Sequence, residues 1–460
     1  MIHVGGPMTT RSRSIDHPRA SACVRGFMRL LRGASIALLA VSCTAARGDE
    51  PVTLRFWALG REGEVVQQLL PAFEREHPGV KVEVQQIPFT AAHEKLLTAF
   101  VGDATPDVAM LGNTWVPEFH ALRALVRLDT FPTREAKRDG YFPGIWDTNV
   151  MDGALYGVPW YVDTRLLFYR TDLLARAGYD AMPHTWSAWR EAMRRITAQG
   201  GGAATRRWAI YLPLNEWNVP VILGMQAGSP LLAGDGTYGA FEQPAFRRGF
   251  DFYTGLFREG LAPALRINEV ANIYQEFARG TFAMFVTGPW NIGEFTRRLP
   301  PELQDRWGTA PMPGPDGDST AISLAGGSSL AIFRGSRHAA EAWQLIEFLS
   351  RVDQQVRFFQ LTGDLPARTE AWRAAKLSDD RYAKAFYEQL ARVRATPKVP
   401  EWEQIATKVQ DYAERAVRGR VPVDRVLPAL DADVNDLLEK RRWMARQHGA
   451  DSAARPAARP

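Results

Sequence analysis

From Val52 the chain alternates, with Val52, Leu54 and Phe56 on one face, until Gly60 breaks the pattern; a buried strand followed by a loop is predicted. Val65, Val66, Leu69, Leu70 and Phe73 then recur at helical spacing, and His77-Pro78-Gly79 stops that helix. Val80, Val82 and Val84 alternate as a second strand. A helix around Glu94 to Val101 leads through Pro106-Asp107 into the apolar run Val108 to Leu111. Strand, helix, strand, helix, strand is the opening of an α/β sheet, in which ligands sit beyond the carboxyl ends of the strands. The loops Leu59 to Gly63 and Gly112 to Trp115 are therefore the first places to expect a site.

Further along, Asp152-Gly153 marks a hairpin turn, Val158-Pro159-Trp160-Tyr161-Val162-Asp163 ends in an aromatic pair and a carboxylate, and Leu166 to Tyr169 is another apolar strand. Thr185 supplies a hydroxyl cap to the next helix. The stretch Gly280 to Trp290 is an apolar strand, rich in β-branched and aromatic residues, that runs into Gly288-Pro289 and presents one indole at its end. Trp290 is either a corner of the core or a flat apolar plate facing a cleft. After the polar turn Pro311 to Asp318, Ala325-Gly326-Gly327-Ser328 precedes a strand from Leu330 to Phe333. Helices are expected over 339–359, closed by Gly363, and over 380–393, 401–417 and 422–441, with Pro428 starting or kinking the last. Residues 449–460, small, polar and Pro-containing, are expected to be disordered.

Length adds one constraint: 460 residues exceed what a single growing core accommodates, so two lobes are expected. The formal charge of +5 suggests a polyanion partner until it is located. Residues 1–42 hold six Arg, no Lys and one acid, which leaves 50 basic and 50 acidic residues in the remainder. The body is neutral, and nucleic-acid binding has no support. The basic leader with its apolar run Ala34 to Val41 reads as a secretory signal peptide over 1–42, and Met28 makes a more compact start than Met1. Leu39-Ala40-Val41-Ser42-Cys43 resembles a lipoprotein box, which makes Cys43 the expected lipidation site; ordinary cleavage near Ala46 is the alternative. Cys23 and Cys43 are the two cysteines of the chain, so the mature fold is expected to have no disulfide, thiolate metal site or cysteine nucleophile.

Enzyme chemistry finds little footing. The sequence has no His-Glu-x-x-His, no Gly-x-Ser-x-Gly and no phosphate-cradling glycine loop, and its eight histidines are scattered. Asp107, Asp163, Glu62 and Glu64 supply carboxylates, but no spacing among them marks an acid and a nucleophile. No cofactor or metal is expected, and the chain is read as not an enzyme.

One ordered set of motifs spans the chain: Phe56-Trp57, Pro106-Asp107-Val108, Gly157-Val158-Pro159-Trp160 with Asp163 and Tyr169, Gly280 to Trp290, Gly326-Gly327-Ser328, and Thr362-Gly363-Asp364-Leu365-Pro366-Ala367-Arg368. On these the chain as a whole resembles the extracellular solute-binding proteins of sugar ABC importers, family 1, the maltose- and trehalose-type periplasmic binding proteins. It implies an α/β, two-lobed periplasmic binding protein fold of type II, with discontinuous lobes joined by a hinge. The N-terminal lobe would comprise 50–162 and 326–370, the C-terminal lobe 163–325 and 371–445. Chain crossings would lie near 161–164, 322–326 and 367–376. A sugar, an oligosaccharide such as a disaccharide, would bind between the lobes. The partners implied are the ABC permease subunits of the inner membrane, and the location is the periplasm, either free or lipid-anchored, for a monomer. A receptor that signals to a membrane protein is the alternative, and a glycoside-acting enzyme a more distant one.

A pyranose has polar edges and less polar faces, so its receptor needs planar aromatics and hydrogen-bonding heads. Trp290, Trp160, Tyr161, Trp115, Trp217 and Trp402 are candidates for the first role; Asp107, Asn113, Asp163, Glu62 and Arg368 for the second. Gly288, Gly326 and Gly327 would let backbone approach the ligand. Structural alternatives stand beside them: Asp107 as a local cap, Arg368 as a partner for a surface acid, Trp57 and Trp343 as packing.

Overall fold

The computed structural model describes residues 51–200 and 206–454, with side chains described through residue 447. The expected signal segment, Cys23, Cys43 and residues 455–460 lie outside the described residues.

Ten strands form two sheets. The first contains β1 (Val52–Leu59), β2 (Val80–Ile87), β3 (Val108–Gly112), β4 (Val158–Asp163), β9 (Gly326–Ile332) and β10 (Leu365–Pro366) in the order β10-β4-β9-β3-β1-β2. The second contains β5 (Leu166–Arg170), β6 (Trp208–Tyr211), β7 (Phe282–Thr287) and β8 (Trp307–Ala310) in the order β8-β5-β7-β6. β1 is parallel to β2 and β3, whereas β9 runs antiparallel to both β3 and β4. The amino end of β9 therefore lies beside the carboxyl ends of its neighbours, with Gly326 opposite Asp163 and Ser328 opposite Gly112. In the second sheet Thr287 at the end of β7 pairs with Leu166 at the start of β5. Thr164 and Arg165 alone separate β4 from β5, so the two sheets meet at these strand ends.

The local pattern explains most elements. β3 is buried along its whole length, as a strand covered on both faces must be. Asp152 and Gly153, both with positive φ, close the hairpin between residues 150–151 and 154–155. Thr185 Oγ1 accepts the Ala188 N–H as a helix cap. Gly363 ends its helix in the left-handed region at φ 84°.

The long helix expected over 339–359 is two helices, Ala339–Leu349 and Val352–Thr362, broken at Ser350 and Arg351. Buried polar groups make the break tolerable. Gln355 Nε2 donates to the Leu349 and Trp160 carbonyls, and Arg368 Nη1 donates to the Ser350 carbonyl, so the carbonyls orphaned at the first helix end are satisfied. The helix expected over 380–393 is confined to Lys384–Leu390, and Pro428 sits inside Val423–Leu437. The last helix, Glu439–Ala454, runs into the tail expected from residue 449. Among the described residues, no helix is long and apolar enough to cross a membrane.

Candidate functional site at the meeting edge of the two sheets

Strand ends deliver the polar and aromatic groups. β1 passes into a short helix bearing Glu62, whose carboxyl lies against Asp364 and the Tyr161 hydroxyl. Tyr161, near the end of β4, accepts a hydrogen bond from Ser328 Oγ at 3.0 Å. Asp163 ends β4 and accepts two 2.8 Å bonds from Arg165 Nη1. The Arg165 guanidinium lies 4.6 Å from the centroid of the Trp290 indole, and Glu216 is the next carboxylate in its field. A line of interacting groups thus runs from Asp364, just before β10 of the first sheet, to Trp290, just after β7 of the second.

Trp290 is 45 % exposed, unusual for an indole that opens a helix at the end of a fully buried strand. Its ring folds back over Gly288, where a Cβ would collide with the indole. Gly288 therefore serves to let the ring lie down. Gly112 and Trp115 repeat the device on the first sheet: a Cβ on Gly112 would come within 3.1 Å of the Trp115 ring. Trp115 is buried against Phe89 and His93. Gly327, at φ 123°, faces the Tyr161 carbonyl with no room for a Cβ, and Gly326 lies against the Asp163 backbone. Close strand approach explains both glycines. Asn113 donates from Nδ2 to the Ala325 carbonyl at 2.8 Å and from its backbone to the Gly327 carbonyl at 3.1 Å, holding the crossing strand in place.

Burial sets the electrostatics. Asp364 is pushed up to about 7 by burial and by the neighbouring Glu62 charge, and burial raises Glu62 as well. Burial, with both those carboxylates adding to it, drives the Tyr161 hydroxyl well above its ordinary range, so it stays protonated. Glu216 is raised by burial against the pull of Arg165. Burial works against the Arg165 charge, yet Asp163 and Glu216 hold its guanidinium above its ordinary value. Glu403, buried near the Thr114 hydroxyl, is raised too.

Several expected ligand groups belong elsewhere. Asp107 stands at the start of β3, the end away from Asn113, and is spent on the Arg55 N–H at 2.8 Å and on Ser336 Oγ at 2.6 Å; the cap alternative is the correct one. Trp160 alternates away from Tyr161 into the core, where it is 1 % exposed and stacks on Phe358 at 4.3 Å. Trp402 is fully buried and meets Trp217 edge to face at 5.6 Å, so it supports Trp217, which remains partly exposed. Arg368 is buried with Glu135 at 3.0 Å and caps the helix break. It follows β10, which runs antiparallel to β4 and leads away from Asp163. Trp57 and Trp343 are buried, as packing residues.

Four groups absent from the sequence-based set join the line or its border: Arg165, Asp364, Glu216 and Glu403. Each lies within two residues of a residue or motif that drew attention for its aromatic or glycine content. Their signal was adjacency, and burial was needed to read it.

The sequence profile described as "Bacterial extracellular solute-binding protein" matches residues 57–356. The chain belongs to that family. It is 46 % identical to the sugar-binding protein MalE from the phytopathogen Xanthomonas citri, covering 86 % of this chain and 100 % of that one, with a TM-score of 0.83. It is 25 % identical to the diacetylchitobiose binding protein DasA of Streptomyces coelicolor, over 75 % of this chain and 80 % of the relative. It is 23 % identical to the galactooligosaccharide-binding protein of Bacillus subtilis, over 84 % and 88 % of the two chains. The two-lobed architecture follows from the MalE likeness, and family and fold are those of binding proteins. Among the described residues there is no cluster of three or more His, Cys, Asp or Glu side chains able to hold a metal.

Proposed function

We propose that this solute-binding protein captures a neutral sugar, with a disaccharide as the simplest fit, between its two lobes and hands it to the permease of an ABC importer. The observation that carries the reading is the half-exposed Trp290 indole, held beside Asp163, Glu216 and Arg165 where the sheet edges meet. An aromatic face suits the less polar face of a sugar ring, and the carboxyls and guanidinium suit its hydroxyls. The sugar-binding proteins to which the chain is similar support the class of ligand.

The N-terminal lobe comprises β1 to β4, β9 and β10, and the C-terminal lobe β5 to β8 with the helices over 402–437. The helix Thr369–Ala374 packs with β10, whereas Lys384–Leu390 packs with β5 and β8, which supports a third crossing within 375–383. Ligand bridges the open lobes and the hinge closes, a motion known for periplasmic binding proteins. Polar groups are buried around matched hydroxyls; a sugar lacking one leaves a partner unpaired, which is the source of selectivity. No bond is made or broken. Cys43 anchors the mature chain to the membrane through a lipid, and Cys43→Ser releases it in fractionation.

A thermal-shift screen of the purified chain against maltose, lactose, diacetylchitobiose and monosaccharides, followed by calorimetry, tests the reading. One sugar should raise the melting temperature and bind stoichiometrically without turnover. No shift across the panel would remove the reading.

A further inference from the structure

We propose that Arg165 is a specificity-determining residue of this site, bracing the Trp290 indole and offering two unspent N–H groups to adjacent oxygens of a neutral sugar ring. The inference rests on the sugar reading above and extends it to a residue and a ligand feature. Arg165 occupies the two-residue passage between β4 and β5, and its backbone carbonyl accepts Ser323 Oγ at 2.6 Å from another inter-sheet segment. Its side chain is 15 % exposed. Nη1 is committed to Asp163, the guanidinium lies against Trp290, and Nε is buried with no acceptor; Nη2 also has no protein partner among the described residues. Glu216, the other carboxylate in its field, is engaged with Asn218.

A guanidinium is a rigid planar fork, and free N–H groups on one fork read two oxygens side by side. A carboxylate, a phosphate or a pair of vicinal hydroxyls all present such oxygens. Charge separates them. Asp163, Glu216, Glu62 and Asp364 are gathered around the site, and its other cation, Arg61, is exposed and bonded to the Leu361 carbonyl. The Arg165 charge is already paired with Asp163 and further acidic groups stand around it, so an anionic ligand finds no unpaired cation there, and vicinal hydroxyls of a neutral ring are the match. A buried donor without an acceptor is costly, and a ligand that supplies one gains what a ligand lacking it forfeits. Lysine cannot reproduce this: a compact ammonium spent on Asp163 has no second and third donor in the same plane.

Calorimetry on the full chain compares wild type, Arg165→Lys, Arg165→Gln, Trp290→Ala and the Lys/Ala double variant against maltose, lactose, diacetylchitobiose and glucuronic acid. Unliganded melting temperatures show which variants are folded, and two Arg165 variants ensure that one informs the result. Wild type should prefer a neutral sugar. Arg165→Lys should weaken that sugar about ten-fold or more and change the ratio of affinities across the panel, which a merely structural role would not do. With Trp290 already removed, the same step should shrink to about three-fold or less, because the two side chains act together. An affinity for the folded Arg165 variants within about two-fold of wild type would overturn the assignment, as would a preference for glucuronic acid. If wild type binds none of the panel, the sugar reading itself falls and the assignment with it.

Discussion

Trp290 and Asp364 carry the residue-scale consequences. Because nearly half of the Trp290 surface is exposed and its ring rests on Gly288, the indole contributes little to the core and is available to a ligand. Trp290→Ala is expected to leave the melting temperature within about 2 °C while weakening sugar binding about ten-fold or more, both read on one sample by thermal shift and calorimetry. Asp364 has the opposite character, a carboxyl that burial and Glu62 keep protonated up to about pH 7. Its folded value lies above the unfolded 3.8, so its stabilising protonated state is fully available below about pH 4 and is lost as pH rises through about 7. Asp364→Asn should therefore gain in unfolding free energy relative to wild type as pH rises from 5 to 8, on the order of a few kcal/mol at most. A wild-type minus variant difference that is flat across this range would contradict it. The same residues show what one-dimensional reading can weigh: tryptophans were prominent, whereas Arg165, Glu216 and Glu403 acquire meaning only from what burial places beside them.

Among the elements, strand ends and helix breaks decide which polar residues face the site. Alternation along β4 sends Trp160 inward and Tyr161 outward, so adjacent aromatics have unlike fates. Asp107 and Asn113 belong to one strand and its following loop, but they occupy opposite ends of it. β10 separates two fates: Asp364, just before it, goes to the site, and Arg368, just after it, to the helix break. Arg368→Ala should consequently act on stability alone: it strands Glu135 and the Ser350 carbonyl and removes a buried charge partner, a loss of about 3 kcal/mol in urea unfolding. Sugar affinity, measured well below the new midpoint, should be unchanged. A loss of affinity without a loss of stability would return Arg368 to the site.

At the scale of the molecule, the order β10-β4-β9-β3-β1-β2 brings three separated parts of the chain into one sheet, and Thr164-Arg165 joins it directly to the second. Two sheets joined by such short passages are expected to close on a ligand by changing a few backbone torsions there. Small-angle scattering should record a smaller radius of gyration on adding the sugar found in the screen, and an unchanged radius with proven binding would argue against closure. Sequence alone determined the strands and helices with clear period, the two-lobed class, the glycine turns and the place of Trp290 at a strand end, because each depends on local backbone preference or on a pattern of a few residues. It did not determine the split of the 339–359 helix, the withdrawal of Asp107, Trp160, Trp402 and Arg368 from the site, or the entry of Arg165 and Asp364. Those depend on which distant groups meet a buried donor, carbonyl or charge: Arg368 for one helix end, Trp290 and Glu216 for Arg165, Glu62 for Asp364. Pairings across the chain have no local period, so only the tertiary structure could decide them.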